Sequence, residues 1–538
     1  MGGHVLPVVT PGMLPASTGL ALGVAWLAVL VLGAKVLVSY LTSPLRAIPG
    51  PFLARFTDVW RMLDYWRHSQ IRTQQELHRK YGAAVRLGPN MVSLSDPALL
   101  KTVYSTRGDF VKSEFYSIGD AIHNGIRIAN PFSTRSTNFH RTYMRPYQRY
   151  FTSSATSQKE HLVSDMAIAL CRELETRFVD CVDGDDKSAD LADWIEYAAW
   201  DLAWSLTFSE DLGFLKAGAD VGGMINTGEV TMRYLGIVGQ MPWLDMWLGK
   251  NPRCPVKFAT FSNTLMFCVR RTIERAAERA SKGVAPGADQ GDFLDNFLEA
   301  KELFPDTIGD NEVVSYLMMN VLAGADTTSL VQKAIMYYIL QSPAVEARLV
   351  AELDGASFTS SPPPYAETRD LPYLDAVIRE GMRMHPVLGG VLERVVPAEG
   401  LKLPDGRFLP AGTQVGMNAW VTSRDKQTYG DDADAFRPER WLRGENETEA
   451  DYQARLGRMR DADFTFGGGS RICVGRHLAM MEIHKLTATL FARYDISLAP
   501  DCGEWTVRHW WFTFIDDIHV RIRRRSRVQP IRPVLKAY

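Results

Sequence analysis

Ten residues, Phe466-Gly467-Gly468-Gly469-Ser470-Arg471-Ile472-Cys473-Val474-Gly475, constrain this chain more than any other stretch. They read as a tight glycine-rich turn that presents one sulfur. A thiolate that binds a metal must be held deprotonated, shielded from water and met by backbone N–H groups. Gly469 and Gly475 let the backbone pass close to a flat ligand. Arg471 can pair with a carboxylate on that ligand's edge. Phe466 can pack beside the sulfur and limit water access. A helical run starts at Gly475, so its N-terminal dipole also favours a thiolate. The other cysteines, Cys171, Cys181, Cys254, Cys268 and Cys502, have no such frame, and six in all are too few for a disulfide scaffold.

The rest of the chain is ordinary in bulk. Its 60 Lys plus Arg balance 62 Asp plus Glu, which removes any electrostatic case for a nucleic-acid partner. With 46% hydrophobic and 23% charged residues, a packed core is expected and wholesale disorder is excluded. Helical patterning covers 160–180, 260–281, 311–341, 342–354, 373–384 and 475–494. Strand signals are short: 84–87, 91–94, 392–396 and 512–523. The expected fold is mainly α with small β-sheets (α+β), in one large domain over 52–520.

The ends differ from this body. Residues 19–41 carry a single charge, Lys35. A helix there would span roughly 35 Å, enough to cross a hydrocarbon core of about 30 Å. Residues 1–18 contain no Lys or Arg, whereas Arg46, Arg55, Arg61 and Arg67 follow. The positive-inside rule then places 1–18 in the lumen and the body in the cytoplasm. Residues 42–51, ending Ile48-Pro49-Gly50-Pro51, read as a proline-rich hinge, and 521–538 as a basic C-terminal tail.

The cysteine loop resembles the haem-binding loop of the cytochrome P450 superfamily, the haem-thiolate monooxygenases, whose pattern is F-x-x-G-x-R-x-C-x-G. All five fixed positions match: Phe466, Gly469, Arg471, Cys473 and Gly475. A chance match in a chain of this length is expected on the order of 10⁻⁴ times. Two further stretches occur in the family's order. Glu380 and Arg383 match its E-x-x-R motif, and Arg440, in the 436–441 segment, completes it; the implied role is a buried structural network. Ala323-Gly324-Ala325-Asp326-Thr327-Thr328 resembles the oxygen-activation segment of the family's long central helix over the haem. There Thr327 would supply a positioned hydroxyl and Asp326 the acid behind it. Residues 139–145 resemble the helix that contacts a haem propionate, with His140 at the aromatic position. Met144 stands where that helix has its arginine, so Arg141 and Arg145 are both candidates, and Arg394 fits a second contact.

The resemblance implies haem b held through the Cys473 thiolate, with O2 and a hydrophobic small molecule as substrates. Electrons would come from an NADPH-cytochrome P450 reductase, with cytochrome b5 as a second donor, since the chain has no nucleotide fingerprint of its own. It further implies a single-pass protein of the endoplasmic reticulum membrane, performing hydroxylation, epoxidation or demethylation. Several segments resemble fungal secondary-metabolism members of the pisatin demethylase-like group. By the same analogy the pocket draws on the 115–132 loop, Leu322 and Ala323, residues 387–392 and the aromatic run 510–514. A haem-thiolate isomerase or dehydratase, and a non-catalytic haem-binding protein, are the alternatives; the intact Asp326-Thr327 pair argues against the first.

Overall fold

The computed structural model describes residues 26–528, except 28–29, 32, 35, 39, 124–125, 180–186, 256–261, 283–290 and 527. The main helices are α1 (Val59–Trp66), α2 (Thr137–Gln148), α3 (Glu160–Leu174), α4 (Leu191–Phe208), α5 (Met224–Val238) and α6 (Ser262–Lys282). They continue as α7 (Asp310–Leu340), α8 (Pro343–Gly355), α9 (Pro372–Met384) and α10 (Arg476–Arg493). The helical patterning of the sequence therefore finds its elements, with ends within a few residues. The first run ends early: α3 stops at Leu174 and widens into a π turn over Glu175–Val179.

The 31-residue α7 organises the molecule. Its start is fixed by Glu312, whose carboxylate accepts the Gly309 N–H at 2.9 Å. From Leu330 to Tyr337 every residue is buried, as expected of a helix that runs through a core rather than along a surface. Helix α4 packs along α7 and is buried on most sides, Glu196 and Asp201 included, with Trp200 and Trp204 fully buried. That burial is why periodicity missed α4: no broad polar face alternates with its apolar one. Asp190 caps it, accepting the Ala192 N–H at 3.0 Å.

Sheets sit at the margins. The largest joins β1 (Ala84–Gly88), β2 (Met91–Leu94), β3 (Val111–Lys112), β4 (Arg394–Val395) and β5 (Gln414–Met417) in the spatial order β1-β2-β5-β4-β3. Only β2 and β5 run parallel, with Val92 beside Val415. The expected C-terminal strand is two strands. β8 (Thr513–Asp516) pairs with β7 (Thr506–His509), while β9 (His519–Arg524) pairs with β6 (Tyr494–Leu498) and with Ala189–Asp190. Asp517, at φ +64°, turns the chain between β8 and β9.

The expected tail from 521 begins inside β9. Arg524 pairs with Glu175 at 3.1 Å and Arg525 with Asp354 at 2.6 Å, so these charges are tied into the body. Residues 529–538 lie outside the described residues. At the other end, the expected 19–41 span lies largely outside them too. Its described residues from 26 to 41 are helical, and Trp26, Leu30, Val31, Leu37 and Leu41 are exposed. Among the described residues no helix is long and apolar enough to cross a membrane.

Candidate functional site

The 466–475 loop is built as the sequence requires. It closes on a hydrogen bond from the Cys473 N–H to the Phe466 carbonyl at 2.9 Å. Gly467 (φ +71°) and Gly469 (φ +61°) take left-handed conformations. A Cβ on Gly469 would lie 2.0 Å from the Tyr104 carbonyl oxygen, so the 104–105 backbone by itself demands glycine there. Gly475 has an ordinary φ of −77° and forms the N-terminal cap of α10; a Cβ there would stand 3.9 Å from the Cys473 sulfur. Cys473 and Ile472 are exposed, while Phe466 and Val474 pack on the main core. The thiol is thus exposed beside side chains that pack on the core. Burial raises its pKa, and the Gly475 and Arg476 N–H groups with the Arg476 charge act the other way.

Beside the loop lies a concentration of positive charge. Lys112 and Arg394 are direct cross-strand partners on β3 and β4, and both side chains are buried. Like charges opposite one another destabilise a sheet unless an anion joins them. Arg471 comes in from the cysteine loop and reaches only the Pro131 and Ser136 carbonyls, each at 3.4 Å. Burial and the neighbouring Arg394 lower its pKa to about 10. Lys112 donates to the Phe132 carbonyl at 2.5 Å and stands 4.1 Å from the centre of the Tyr116 ring. Burial, then Arg394 and Arg471, lower its pKa strongly. His140 completes the group: burial, Arg471 and Lys112 push its pKa down to about 3. The adjacent Glu393 is committed elsewhere, to Arg61 at 2.8 Å and Ser113 at 2.6 Å. Among the described residues, none of Lys112, Arg394 and Arg471 has a carboxylate within salt-bridge distance.

Of the two arginines left open on α2, neither joins this cluster. Arg141 is exposed and donates to Asn138 at 2.9 Å; Arg145 is exposed. Lys112, from a different element, is a member of the cluster that the sequence did not suggest. Its sequence signal was slight: a lone lysine in the short run Phe110-Val111-Lys112, far from the cysteine motif.

Helix α7 bares one patch in its interior-running course. Ala323 and Gly324 are exposed, and a Cβ on Gly324 would meet nothing within 4 Å. Next to this opening, the Thr327 hydroxyl donates back to the Ala323 carbonyl at 2.6 Å. Asp326 is turned the other way. It is buried against α4, accepting the Trp200 Nε1–H at 2.9 Å, and burial, with the Glu196 charge, pushes its pKa up to about 8. Thr328 meets a carboxyl that sequence reading passed over, Glu482 on α10. Burial raises Glu482 to about 8, against the hydrogen bond from Thr328. An acid between the apolar run Leu478-Ala479-Met480-Met481 and Ile483 was the available signal.

Behind the cysteine loop, Glu380, Arg383 and Arg440 come together as expected. Arg383 makes a two-pronged contact with the Glu380 carboxylate at 2.8 and 2.7 Å, and Arg440 adds a third at 3.1 Å. The Trp441 indole and the Arg437 backbone N–H supply two more at 2.9 Å each. Burial works to raise the Glu380 pKa, but the two arginines hold it below its ordinary value. Asp432 shares Arg440 at 3.0 Å and is a member that the motif did not predict. Three of the four expected pocket stretches also meet. Phe115 and Tyr116, the 387–392 stretch and Trp510 to Phe514 form one apolar cluster, with the Phe115 and Trp511 rings 4.6 Å apart.

An exposed sulfur and three basic side chains with no carboxylate at hand among the described residues fit a flat, dianionic iron ligand, and known proteins agree. A family model described as cytochrome P450 matches residues 49–517. The cytochrome P450 monooxygenase cfoH of Aspergillus candidus is 36% identical over 495 residues, covering 91% of this chain and 90% of its own. The monooxygenase asR2 of Sarocladium schorii is 36% identical over 496 residues, 90% of this chain and 93% of its own. For cicH of Emericella nidulans the figures are 35% over 489 residues, 90% and 95%. The chain belongs to the cytochrome P450 family of haem-thiolate monooxygenases, which use haem b, O2, a redox-partner reductase and small-molecule substrates.

Proposed function

We propose that the protein inserts one oxygen atom from O2 into a hydrophobic small molecule, by hydroxylation, epoxidation or demethylation, in fungal secondary metabolism. The observation that carries the site assignment is the cluster of Lys112, Arg394 and Arg471 beside Cys473, which among the described residues has no carboxylate within salt-bridge distance. Haem b, when bound, supplies the iron that activates O2. Cys473 would hold that iron as thiolate, with the N-terminus of α10 stabilising its charge. Arg394, Arg471, Lys112 and His140 would pair with the two propionates and so fix the group's orientation. Phe466 would screen the sulfur, while Gly469 and Gly475 let the loop close and present it. Thr327 would position a proton at its Oγ1 beside the opening at Gly324, and Asp326 would refill it after turning from Trp200. The aromatic cluster of Phe115 and Trp510 to Phe514 supports an apolar substrate.

We also read the chain as anchored in the endoplasmic reticulum membrane by 19–41, its body in the cytoplasm with an NADPH-dependent reductase and cytochrome b5. Support comes from an exposed apolar surface around Phe52, Leu53 and Trp66, and from Trp243 and Trp247, which are 59% and 70% exposed. Helix α1 packs on α5, which leads into the Trp243 segment, so these residues belong to neighbouring parts of the surface.

A reduced-CO difference spectrum tests the thiolate assignment: the wild type should give the thiolate-type Soret band and Cys473→Ala should lose it. An unchanged band in that variant overturns the assignment. Thr327→Ala should keep the band yet release several-fold more peroxide per NADPH; equal coupling would remove Thr327 from proton delivery. Alkaline carbonate should leave the full chain in the membrane pellet, and its release would overturn the anchor.

A further inference from the structure

We propose that a cavity of about 190 Å³ behind the cysteine loop binds a neutral aromatic molecule of one or two rings that carries a carbonyl acceptor. It lies where α9, the 429–441 segment, the approach to the cysteine loop and α10 meet. The rings of Tyr429, Trp441 and Phe466 and the thioethers of Met382 and Met480 line it. None of Cys473, Lys112, Arg394 and Arg471 does, so the cavity is separate from the site described above. It backs onto the loop that holds the sulfur, since the Phe466 carbonyl accepts the Cys473 N–H.

The walls are set by the Glu380 network. Trp441 spends its indole N–H on Glu380 at 2.9 Å and so presents a ring. The Arg383 guanidinium stands 5.1 Å from the centre of the Tyr429 ring. These contacts fix two aromatic surfaces, while the two methionines can adapt to a ligand's outline. An apolar cavity of about 150 Å³ takes up benzene, so this one has room for a somewhat larger ring system.

The polar groups select an acceptor. Tyr429 is only 4% exposed, and among the described residues its hydroxyl makes no hydrogen bond. A buried tyrosine hydroxyl normally has a partner. Burial raises the Tyr429 pKa, and of the neighbouring charges Asp463, another lining residue, adds most. The hydroxyl is therefore a protonated donor on the cavity's Asp463 side. Arg379 supplies further donors. Its Nε bonds Asp375 at 2.5 Å, and its two terminal nitrogens have no partner among the described residues. Charge disfavours an anion here. Arg379 is answered by Asp375 and Arg383 by Glu380, whereas the Asp463 carboxylate accepts only the Thr465 N–H, at 2.9 Å. A ring with a carbonyl satisfies the free donors without meeting the Asp463 charge as an anion would.

The test uses the full-length haem-loaded protein saturated with 4-phenylimidazole, which takes the open position on the iron and fills the substrate side. Coumarin, a neutral two-ring lactone, is the probe, and titration calorimetry the measurement. The wild type should bind one coumarin with a dissociation constant below about 1 mM, within reach of a ligand of this size. Tyr429→Phe keeps the ring and loses the donor, and should weaken binding about fivefold. Thr465→Trp brings an indole into the cavity from its half-buried edge and should abolish binding. No coumarin bound beside 4-phenylimidazole, or equal affinity in the wild type and both variants, overturns the site. Loss in Thr465→Trp with unchanged affinity in Tyr429→Phe overturns the recognition of the carbonyl and leaves the cavity. Should one variant yield no haem-loaded protein, the other decides.

Discussion

At the scale of single residues, charge without a partner is the most informative property of this site. Lys112 is buried opposite Arg394 in the sheet, near Arg471, with no carboxylate at hand. A charged hydrogen bond at such a place contributes about 1.5–3 kcal/mol, roughly tenfold or more in a dissociation rate. Lys112→Met should therefore lose haem about tenfold faster than the wild type in a haem-transfer assay. Arg145→Ala should lose it at the wild-type rate, because that side chain is exposed on α2. The reverse order would return the propionate contact to α2. Gly469→Ala should yield little loaded protein for a different reason. Its φ of +61° and the Tyr104 oxygen, 2.0 Å from the added carbon, oppose any side chain.

At the scale of elements, α9 is held to the 432–441 segment by one fully buried carboxylate. Glu380 receives five hydrogen bonds, from Arg383 (two), Arg440, Trp441 and the Arg437 backbone. Removing it strands two guanidinium groups, and Glu380→Ala should cost about 3–5 kcal/mol in stability and most of the haem-loaded yield. Normal haem content and melting temperature in that variant would contradict the network. The sign of its pH dependence follows. A carboxylate with a lowered pKa contributes stability above its unfolded value and loses it as pH falls through the folded one, so this network weakens in acid. The opposite sign holds where α7 meets α10. Glu482, raised to about 8, binds a proton in the fold that the unfolded chain has released, so its contribution declines as pH rises from about 4 to 8. Glu482→Gln should remove a decline of about 1.4 kcal/mol per pH unit between about pH 4 and 8 from the stability profile, measured by denaturant unfolding at several pH values. A limb of unchanged slope would place the Glu482 charge out of the low-dielectric core.

At the scale of the whole molecule, what could be read in advance divides along one line. The sequence by itself determined the groups whose order along the chain is their chemistry. The cysteine turn and its following helix, the Glu380 and Arg383 pair at i and i+3, and the Asp326-Thr327 step on a long helix are local, so short-range geometry settles their relation. The mostly helical architecture came from the same source, because 3.6-residue periodicity needs no partner to be visible. Tertiary structure alone decided everything that depends on long-range approach. It brought Lys112 beside Arg394 across 282 residues of sequence and left Arg141 and Arg145 outside. It turned Asp326 from Thr327 toward Trp200, 126 residues away, and set α4, invisible as a pattern because buried on most sides, against α7. The physical reason is the same in each case. A side chain's ionisation and hydrogen-bond partners depend on what surrounds it, and those surroundings come from parts of the chain that meet only when the core closes.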